Sequence, residues 1–145
     1  MALKIYLLDT NTISEAIKPN PNHNVIHQLD ALSEFSAIGV TTSYEIQKGI
    51  AVMPEGRRKQ ELAYFYQNEI LPVFPVLPYD QKAASVQAEI FGRLKEKGTP
   101  VPYEDCQLAA IAISNNLILV TRNTKHFQKI AEVFNFGMEN WFEEK

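Results

Sequence analysis

The sequence has few of the features that mark secreted, membrane-bound or zinc-stabilised proteins. Its one cysteine, Cys106, cannot form an internal disulfide, and no group of cysteine and histidine residues has zinc-site spacing. The longest uninterrupted apolar run, residues 108–113, is far too short to cross a membrane, and the run before Asp9 is too short for a signal peptide. We therefore expect a cytoplasmic protein with no membrane segment.

Neither sign of charge dominates the chain. There are 14 lysines and arginines against 17 aspartates and glutamates, which gives a net charge of −3. This balance argues against a general basic nucleic-acid binder, but it is compatible with an acidic site whose bound cations hold phosphates. The 145 residues, of which 46% are hydrophobic, are enough for one domain with a real core. We expect a single domain over residues 1–145.

Short apolar runs alternate with longer amphipathic ones along the chain. This pattern is typical of an α/β fold with a central, mainly parallel sheet of four to five strands flanked by helices. Strands are predicted at 4–8, 36–41, 73–77 and 117–121, with a short helix and an edge strand within 127–141. Helices are predicted from about residue 11, and at 23–32, 44–52, 57–69, 81–97 and 104–114.

Local signals define two of these helices more closely. Thr42 or Ser43 is expected to cap the helix at 44–52, because a hydroxyl there accepts a free backbone N–H. Asp80 is expected to cap the long helix that follows. The apolar residues of that long helix recur at helical spacing and are predicted to face inward: Ala83, Val86, Ile90, Phe91 and Leu94.

Four polar residues fall at the carboxyl ends of predicted strands or near the helix starts beside them, namely Asp9, Glu45, Asp105 and Asn123. Ligands of open α/β sheets bind outside these strand ends, so folding can bring the four together. Converging carboxylates repel one another unless a cation lies between them, and Mg²⁺ accepts one or two carboxylates together with waters. Asp9 and Asp105 are then the main metal ligands. Glu45, one turn into its predicted helix, binds a second metal or orients water, and Asn123 holds a metal-bound water.

Each acid taken singly has a simpler explanation. An aspartate before a helix can cap its free backbone N–H groups, and an acid in a first helical turn interacts favourably with the helix dipole. For Asp9 alone, and for Asp105 alone, this structural role is the better interpretation. The spacing of the acids therefore does not by itself establish a catalytic site.

Four segments, in order over nearly the whole chain, resemble the motifs of PIN-domain nucleases. The first is Leu7-Leu8-Asp9-Thr10-Asn11 followed by Ile13-Ser14-Glu15, and the second, residues 42–49, has Glu45 four residues before a glycine. The third begins at Asp105 and continues into small residues, and the fourth is Val120-Thr121-Arg122-Asn123 with Phe127 beyond. Together they look closest to VapC-type toxins, and within those to the FitB-like branch.

The resemblance implies a PIN-like fold and RNA cleavage that depends on Mg²⁺ or Mn²⁺, with Asp9, Glu45 and Asp105 as metal ligands. It also implies inhibition by a small antitoxin protein and a homodimer. Asn123 is a departure, because many family members have an aspartate there, although asparagine also occurs in VapC-like sequences. This departure bears on a fourth ligand and not on the three acids. Nearby candidates for supporting the site or contacting RNA are Thr10, Asn11, Thr121, Arg122 and Lys125.

Two other functions fit parts of the sequence. A PIN-like module that binds RNA or protein without cutting is the main alternative, and Asn123 is the feature in its favour. A phosphatase that forms an aspartyl-phosphate on Asp9 normally needs a second acid two residues later, whereas position 11 is Asn. His126 is interpreted as a surface histidine rather than a general acid, because nothing in the sequence supplies a tuned environment for it.

Overall fold

A five-stranded parallel sheet forms the centre of the protein in the computed structural model, which describes residues 3–143. The strands are β1 (Tyr6–Leu8), β2 (Ser36–Gly39), β3 (Val76–Leu77), β4 (Ile118–Val120) and β5 (Met138–Glu139). Their spatial order is β3-β2-β1-β4-β5, and every neighbouring pair is parallel. The predicted α/β fold is confirmed, and the strand of the C-terminal region lies at an edge, as expected.

Helices cover both faces of this sheet. Within the described residues they are α1 (Thr10–Glu15), α2 (His23–Leu32), α3 (Val40–Ala51), α4 (Arg57–Phe65), α5 (Gln81–Lys97), α6 (Tyr103–Ser114) and α7 (Thr124–Val133). A 3₁₀ turn at Ser33–Phe35 precedes β2, and a π-helical turn at Tyr66–Ile70 follows α4. In residues 3–143, no helix combines the length and the apolar character needed to cross a membrane.

Successive residues of each central strand belong to opposite layers of the core. Leu7 and Leu119 pack with residues of α5, α6 and α7, whereas Leu8 and Val120 pack on the other face with residues of α1 and α2 and with Trp141. Side chains of adjacent strand residues point to opposite faces of a sheet, and a parallel sheet is covered on both. This explains why the central strands are apolar at both kinds of position.

The helix after β2 begins earlier than the sequence predicts. Strand β2 ends at Gly39 and α3 starts at Val40, so Thr42 and Ser43 lie inside the helix and do not cap it. Both are buried: the Thr42 hydroxyl donates to the Leu8 carbonyl at 3.5 Å, and Ser43 is hydrogen-bonded to the Tyr66 hydroxyl. The β-branched residues at 40–42 favour a strand by propensity, but these tertiary contacts hold them in a helix.

Helix α5 agrees with its predicted bounds but not with one predicted contact. Asp80 caps it by accepting the Ala83 N–H at 3.0 Å, and Gly98 ends it with a positive φ of 67°. Ala83, Ile90 and Leu94 are buried as expected. The prediction for Phe91 was wrong, because its side chain is 64% exposed on the outer face of the helix.

The strand order changes direction at β1. The chain builds β2 and β3 on one side of β1 and later places β4 and β5 on the other side. The carboxyl ends of β1 and β4 therefore meet at a topological switch point, where open α/β sheets bind their ligands. Asp9 and Thr121 are the first residues after these two strands.

Candidate active site

Asp9 is held firmly at the end of β1. Its backbone N–H donates to the Val120 carbonyl at 2.9 Å, which continues the pairing of β1 with β4. One carboxylate oxygen, Oδ1, accepts the Thr10 N–H at 2.7 Å and so caps α1. The other, Oδ2, accepts the Thr121 hydroxyl at 2.9 Å and the Asn11 amide at 3.3 Å. The carboxylate is buried and fixed in orientation by side chains from two elements.

Asp105 lies in the first turn of α6, where the helix N-terminus favours a negative charge. Its Oδ2 atom is buried and has no hydrogen-bond partner in the described structure. His126 is close by: its Nδ1 atom lies 3.5 Å from this oxygen, a distance that makes an ion pair only when the imidazole is protonated. Asp105 therefore presents a buried oxygen that a cation can satisfy.

Glu45 lies in the middle of α3 and not one turn into it, because the helix begins at Val40. Burial raises the pKa of its carboxyl, the charge of Asp9 raises that pKa further, and Lys48 opposes both. Asp105 contributes in the same direction as Asp9. The side chain thus belongs to the same electrostatic cluster as the two aspartates.

The two aspartates also hold their protons more tightly than isolated carboxyls. Burial raises the pKa of Asp9, against the lowering effect of the hydrogen bonds from Thr121, Thr10 and Asn11. Burial likewise raises the pKa of Asp105; His126 opposes this shift, and the charge of Asp9 adds to it. The charge of Asp9 raises the pKa of Asp105 and of Glu45, and Asp105 also raises that of Glu45. Three acids far apart in sequence are therefore close enough in space to interact.

The acid cluster fits a divalent ion held by few protein ligands. Within residues 3–143, no three Asp, Glu, His or Cys side chains are arranged tightly enough to enclose an ion together. Mg²⁺ does not need such a cage, because it usually takes one or two carboxylates and keeps several waters. The unpartnered Asp105 oxygen and the mutual repulsion of the acids both favour a cation here.

The remaining predicted residues take different positions around the cluster. Asn123 is exposed, and its side chain makes no hydrogen bond in the described structure; its backbone N–H donates to the Thr121 hydroxyl at 3.0 Å. The Arg122 guanidinium lies 4.6 Å from the centre of the Phe142 ring, and the Arg122 backbone N–H donates to the Asn11 side chain.

Two further predicted residues lie beside the acids. The Thr10 hydroxyl is buried beside Glu45 without a partner. Lys125 lines a cavity next to Asp105.

Two contacts of this region could not be found in the sequence. His126, interpreted as a surface residue, is 65% exposed but lies against Asp105, because the start of α7 meets the start of α6. Lys129 follows one turn later and lines the same cavity as Lys125. In the sequence, only the i, i+4 spacing of Lys125 and Lys129 indicates that the two lysines share one face of a helix.

Comparison with known proteins places these observations in a family. A sequence model described as "PIN domain" matches residues 6–133. Toxin FitB of Neisseria gonorrhoeae is 36% identical over 124 residues, covering 83% of this chain and 89% of FitB. VapC ribonuclease Y4jK of Sinorhizobium fredii is 32% identical, covering 84% of this chain and 89% of that protein. The crystal structure of FitAcB from Neisseria gonorrhoeae superposes with a TM-score of 0.87 at 31% identity, covering 97% of this chain and 100% of that one.

Proposed function

The chain belongs to the PIN-domain family, and on that basis we propose that it is a metal-dependent endoribonuclease, the toxin of a toxin–antitoxin pair. The family match spans most of the chain, and its relatives include a protein named a toxin and one named a ribonuclease. The observation that carries the proposal is the cluster of Asp9, Glu45 and Asp105 at the switch point of the sheet. A cytoplasmic location and a single domain over residues 1–145 remain predictions.

Each residue of the cluster has a role in this proposal. Asp9 and Asp105 hold Mg²⁺, or Mn²⁺ in its place, and Glu45 contributes through a second ion or an ordered water. A bound divalent ion polarises the phosphodiester and makes water a stronger nucleophile. Thr121 and Asn11 fix the orientation of the Asp9 carboxylate through the hydrogen bonds described above. The Thr10 hydroxyl has no partner but is buried, so Thr10 is proposed to support the site rather than to contact a substrate phosphate.

Asn123 keeps a smaller role in the proposal. Its side chain is exposed and neutral, so it can hold a water at the edge of the cluster but adds no charge to it. The backbone N–H of Asn123 binds the Thr121 hydroxyl, which in turn donates to Asp9. We propose that Asn123 supports the site mainly through this chain of hydrogen bonds.

A groove beside the cluster suits a protein inhibitor. It has a volume of about 400 Å³, lies between α1, α3 and α4, and includes Thr10 and Glu45 of the acid site. Most of its lining is aliphatic or aromatic, including Ile13, Ile17 and Phe65. We propose that a segment of a small antitoxin places apolar side chains here and so blocks access of RNA to Glu45.

RNA cleavage by purified protein tests the proposal. Protein freed of any co-purified partner is incubated with a panel of single-stranded RNAs in Mg²⁺, in Mn²⁺ and in EDTA, next to Asp9→Asn and Asp105→Asn variants. We expect cleavage by the unmodified protein with either metal, none in EDTA, and none by the variants. If the unmodified protein leaves every RNA intact and calorimetry detects no metal binding, the nuclease proposal fails.

The same experiment separates the nuclease from a binding-only module. Asn123, in place of the aspartate of many relatives, is the feature that favours the alternative. A module that only binds RNA would bind it without added metal and with Asp9 and Asp105 both changed to asparagine, and would cut it under no condition. Metal-dependent cuts that disappear in the two variants contradict that alternative.

A further inference from the structure

A second cavity lies next to the acid cluster, on the side of Asp105. Its volume is about 250 Å³, and one wall is the extended segment 100–102 before α6. The other wall is the first part of α7, which contributes Lys125, His126 and Lys129. Asp105 lies at the boundary between this cavity and the cluster. Two lysines and a histidine therefore line a space that opens directly beside the proposed metal ligands.

The two lysines lack a carboxylate partner in the described structure. In the described structure, no aspartate or glutamate forms an ion pair with Lys125 or Lys129, and both side chains are exposed. The residues are one helical turn apart, so their like charges repel each other. An anion bound between them would remove this repulsion.

Other basic groups around the acid cluster are already engaged. Lys18, at the edge of the apolar groove, is paired with Glu15 at 3.0 Å. Arg58, also in that groove, lies 4.0 Å from Glu61. Arg122 lies over the Phe142 ring. Lys48 lies over the Tyr44 ring and acts on Glu45. The lysine pair of α7 is thus the pair of cations beside Asp105 that has no such partner.

We infer that the cavity beside Asp105 is a subsite for a backbone phosphate of the RNA strand, adjacent to the phosphate at the acid cluster. The inference rests on the proposed function, which brings a single strand across Asp9 and Asp105. An ion at the acids neutralises the phosphate being cut, but the next phosphate along the strand keeps its charge. Lys125 and Lys129 supply the compensating charge at that neighbouring position.

Binding of RNA in the absence of cleavage tests this subsite. All proteins carry Asp9→Asn and are studied in EDTA, so that RNA is not cut and binding is measured apart from activity. A fluorescent single-stranded RNA of mixed sequence is titrated at several salt concentrations. Lys125→Gln/Lys129→Gln removes the pair, and Lys125→Arg/Lys129→Arg keeps its charge. The matched control combines Lys82→Gln of α5 with Lys4→Gln and is called the α5 control; neither lysine lines the cavity.

We expect the glutamine pair on α7 to weaken binding several-fold and to reduce the magnitude of the slope of log K against log salt by about 0.7, the value for one phosphate contact of a single strand. The arginine pair and the α5 control should keep the original slope. An unchanged slope in the α7 glutamine pair overturns the subsite, as does an equal loss in the α5 control, which would indicate bulk charge alone. Polyglutamate that competes as well as RNA would also overturn it, because the cavity would then recognise an acidic polypeptide.

These outcomes differ from those that test the nuclease itself. If unmodified protein cuts RNA with metal while the α7 pair leaves the salt slope unchanged, the nuclease proposal stands and the subsite fails. If no RNA is cut but the α7 pair still accounts for one phosphate contact, the subsite stands as part of an RNA-binding surface, and the nuclease proposal fails.

Discussion

At the scale of single residues, Asp9 combines two roles that the sequence presents as alternatives. Its Oδ1 atom caps α1 through the Thr10 N–H, which confirms the capping interpretation. Its Oδ2 atom is directed to Thr121 at the end of the neighbouring strand. Since a carboxylate has lone pairs for several contacts, the cap leaves capacity for a metal ion. The cap positions the residue, and the metal role remains a proposal for the same side chain.

The Asp9→Asn variant should separate these two roles. Asparagine caps a helix about as well as aspartate, so the fold should persist, while cleavage should fall at least about a hundred-fold, or about 2.7 kcal/mol. The pKa of Asp9 is raised by burial, so its ionised form costs free energy in the fold above the ordinary carboxyl range. In EDTA at neutral pH, the melting temperature of the variant should therefore equal or exceed that of the unmodified protein.

Calorimetry and the cleavage assay check this expectation together. Asp30→Asn, which neutralises an exposed acid of α2, is the control for the loss of one charge. Mg²⁺ should raise the melting temperature of the unmodified protein and of this control, but have less effect on Asp9→Asn. A variant that melts several degrees lower in EDTA would show that the charge at position 9 stabilises the fold, contrary to the direction of its pKa.

Thr121 should control the pH at which Asp9 becomes available to a metal. Its hydroxyl donates to the Asp9 carboxylate and opposes the rise in pKa that burial causes. Thr121→Val removes this bond at nearly constant volume, so the pKa of Asp9 should rise further and the acid limb of the pH–rate profile should move to higher pH. Loss of the buried hydrogen bond should cost about 1 kcal/mol of stability.

Thr121→Ser is the matched control, because it keeps the hydroxyl. Its pH–rate profile should overlay that of the unmodified protein, whereas the valine variant should differ mainly on the acid side. Profiles that coincide for valine and serine would mean that the hydrogen bond from Thr121 does not govern the protonation of Asp9.

At the scale of elements, the sequence predicts best those helices whose ends depend on local contacts. Helix α5 begins after Asp80 and ends at Gly98 as expected, because a side-chain cap and a residue of positive φ act within a few residues of the ends. The start of α3 was predicted four residues late. Its first turns are stabilised by burial against β1 and by a hydrogen bond between the Ser43 and Tyr66 hydroxyls, and neither contact is local in sequence.

In the candidate site, too, the sequence predicts what depends on local pattern and not what depends on packing between distant elements. The three acids could be selected from the sequence because they follow strands or begin helices, and the family motifs include them. Their arrangement could not be predicted, since it depends on how α3 and α6 pack beside β1. The free oxygen of Asp105 and its approach to His126 arise only from the packing of α6 against α7.

Glu15 links α1 to the start of α2, and we predict that this link stabilises the fold. Its Oε2 atom accepts the Asn22 N–H at 2.8 Å, and its Oε1 atom lies 3.0 Å from the Lys18 ammonium. Asn22 in turn caps α2 by accepting the N–H groups of Asn24 and Val25. Glu15→Gln keeps the shape but turns a charged acceptor into a neutral one, so we expect a loss of about 1 kcal/mol and a melting temperature lower by about 2–4 °C.

The effect of Glu15→Gln should depend on pH with a definite sign. The hydrogen bond from Asn22, and then that from Lys18, lower the pKa of Glu15 in the folded protein. Its contribution is therefore present above the ordinary glutamate pKa and is lost as the pH falls through the lowered value. Melting curves of the two proteins should differ at neutral pH and converge in acid. Lys18→Gln, which removes only a half-exposed partner, should cost much less.

At the scale of the whole molecule, the sheet order decides where chemistry can occur. Because β1 lies between β2 and β4, its carboxyl end adjoins the helices that follow β2 and precede β4, and these helices carry Glu45 and Asp105. The apolar groove and the lysine-lined cavity then open from the same cluster, one beside Glu45 and the other beside Asp105. The acids, the apolar groove and the lysine-lined cavity thus all adjoin one topological feature of the sheet.

An apolar face that adjoins the cavity beside Asp105 through Pro100 and Val101 suits the homodimer expected from the family resemblance. The C-terminal half of α5 and the segment 98–101 form an apolar pocket of about 420 Å³, and its lining includes Leu94, Val101 and the exposed ring of Phe91. A large aromatic residue that is 64% exposed beside such a pocket is typical of an interface. We therefore predict that two copies associate through α5.

Phe91→Glu should prevent this association, because a buried carboxylate without a partner at the centre of an interface costs several kcal/mol. Sedimentation or light scattering should show a dimer for the unmodified protein and a monomer for this variant. Val52→Glu introduces the same charge at another exposed apolar residue, 77% exposed at the end of α3, and should leave the dimer intact. Since Phe91 makes no contact with the acid cluster, monomeric Phe91→Glu should still bind RNA in EDTA. Dimers that persist in Phe91→Glu would move the interface to a different face of the molecule.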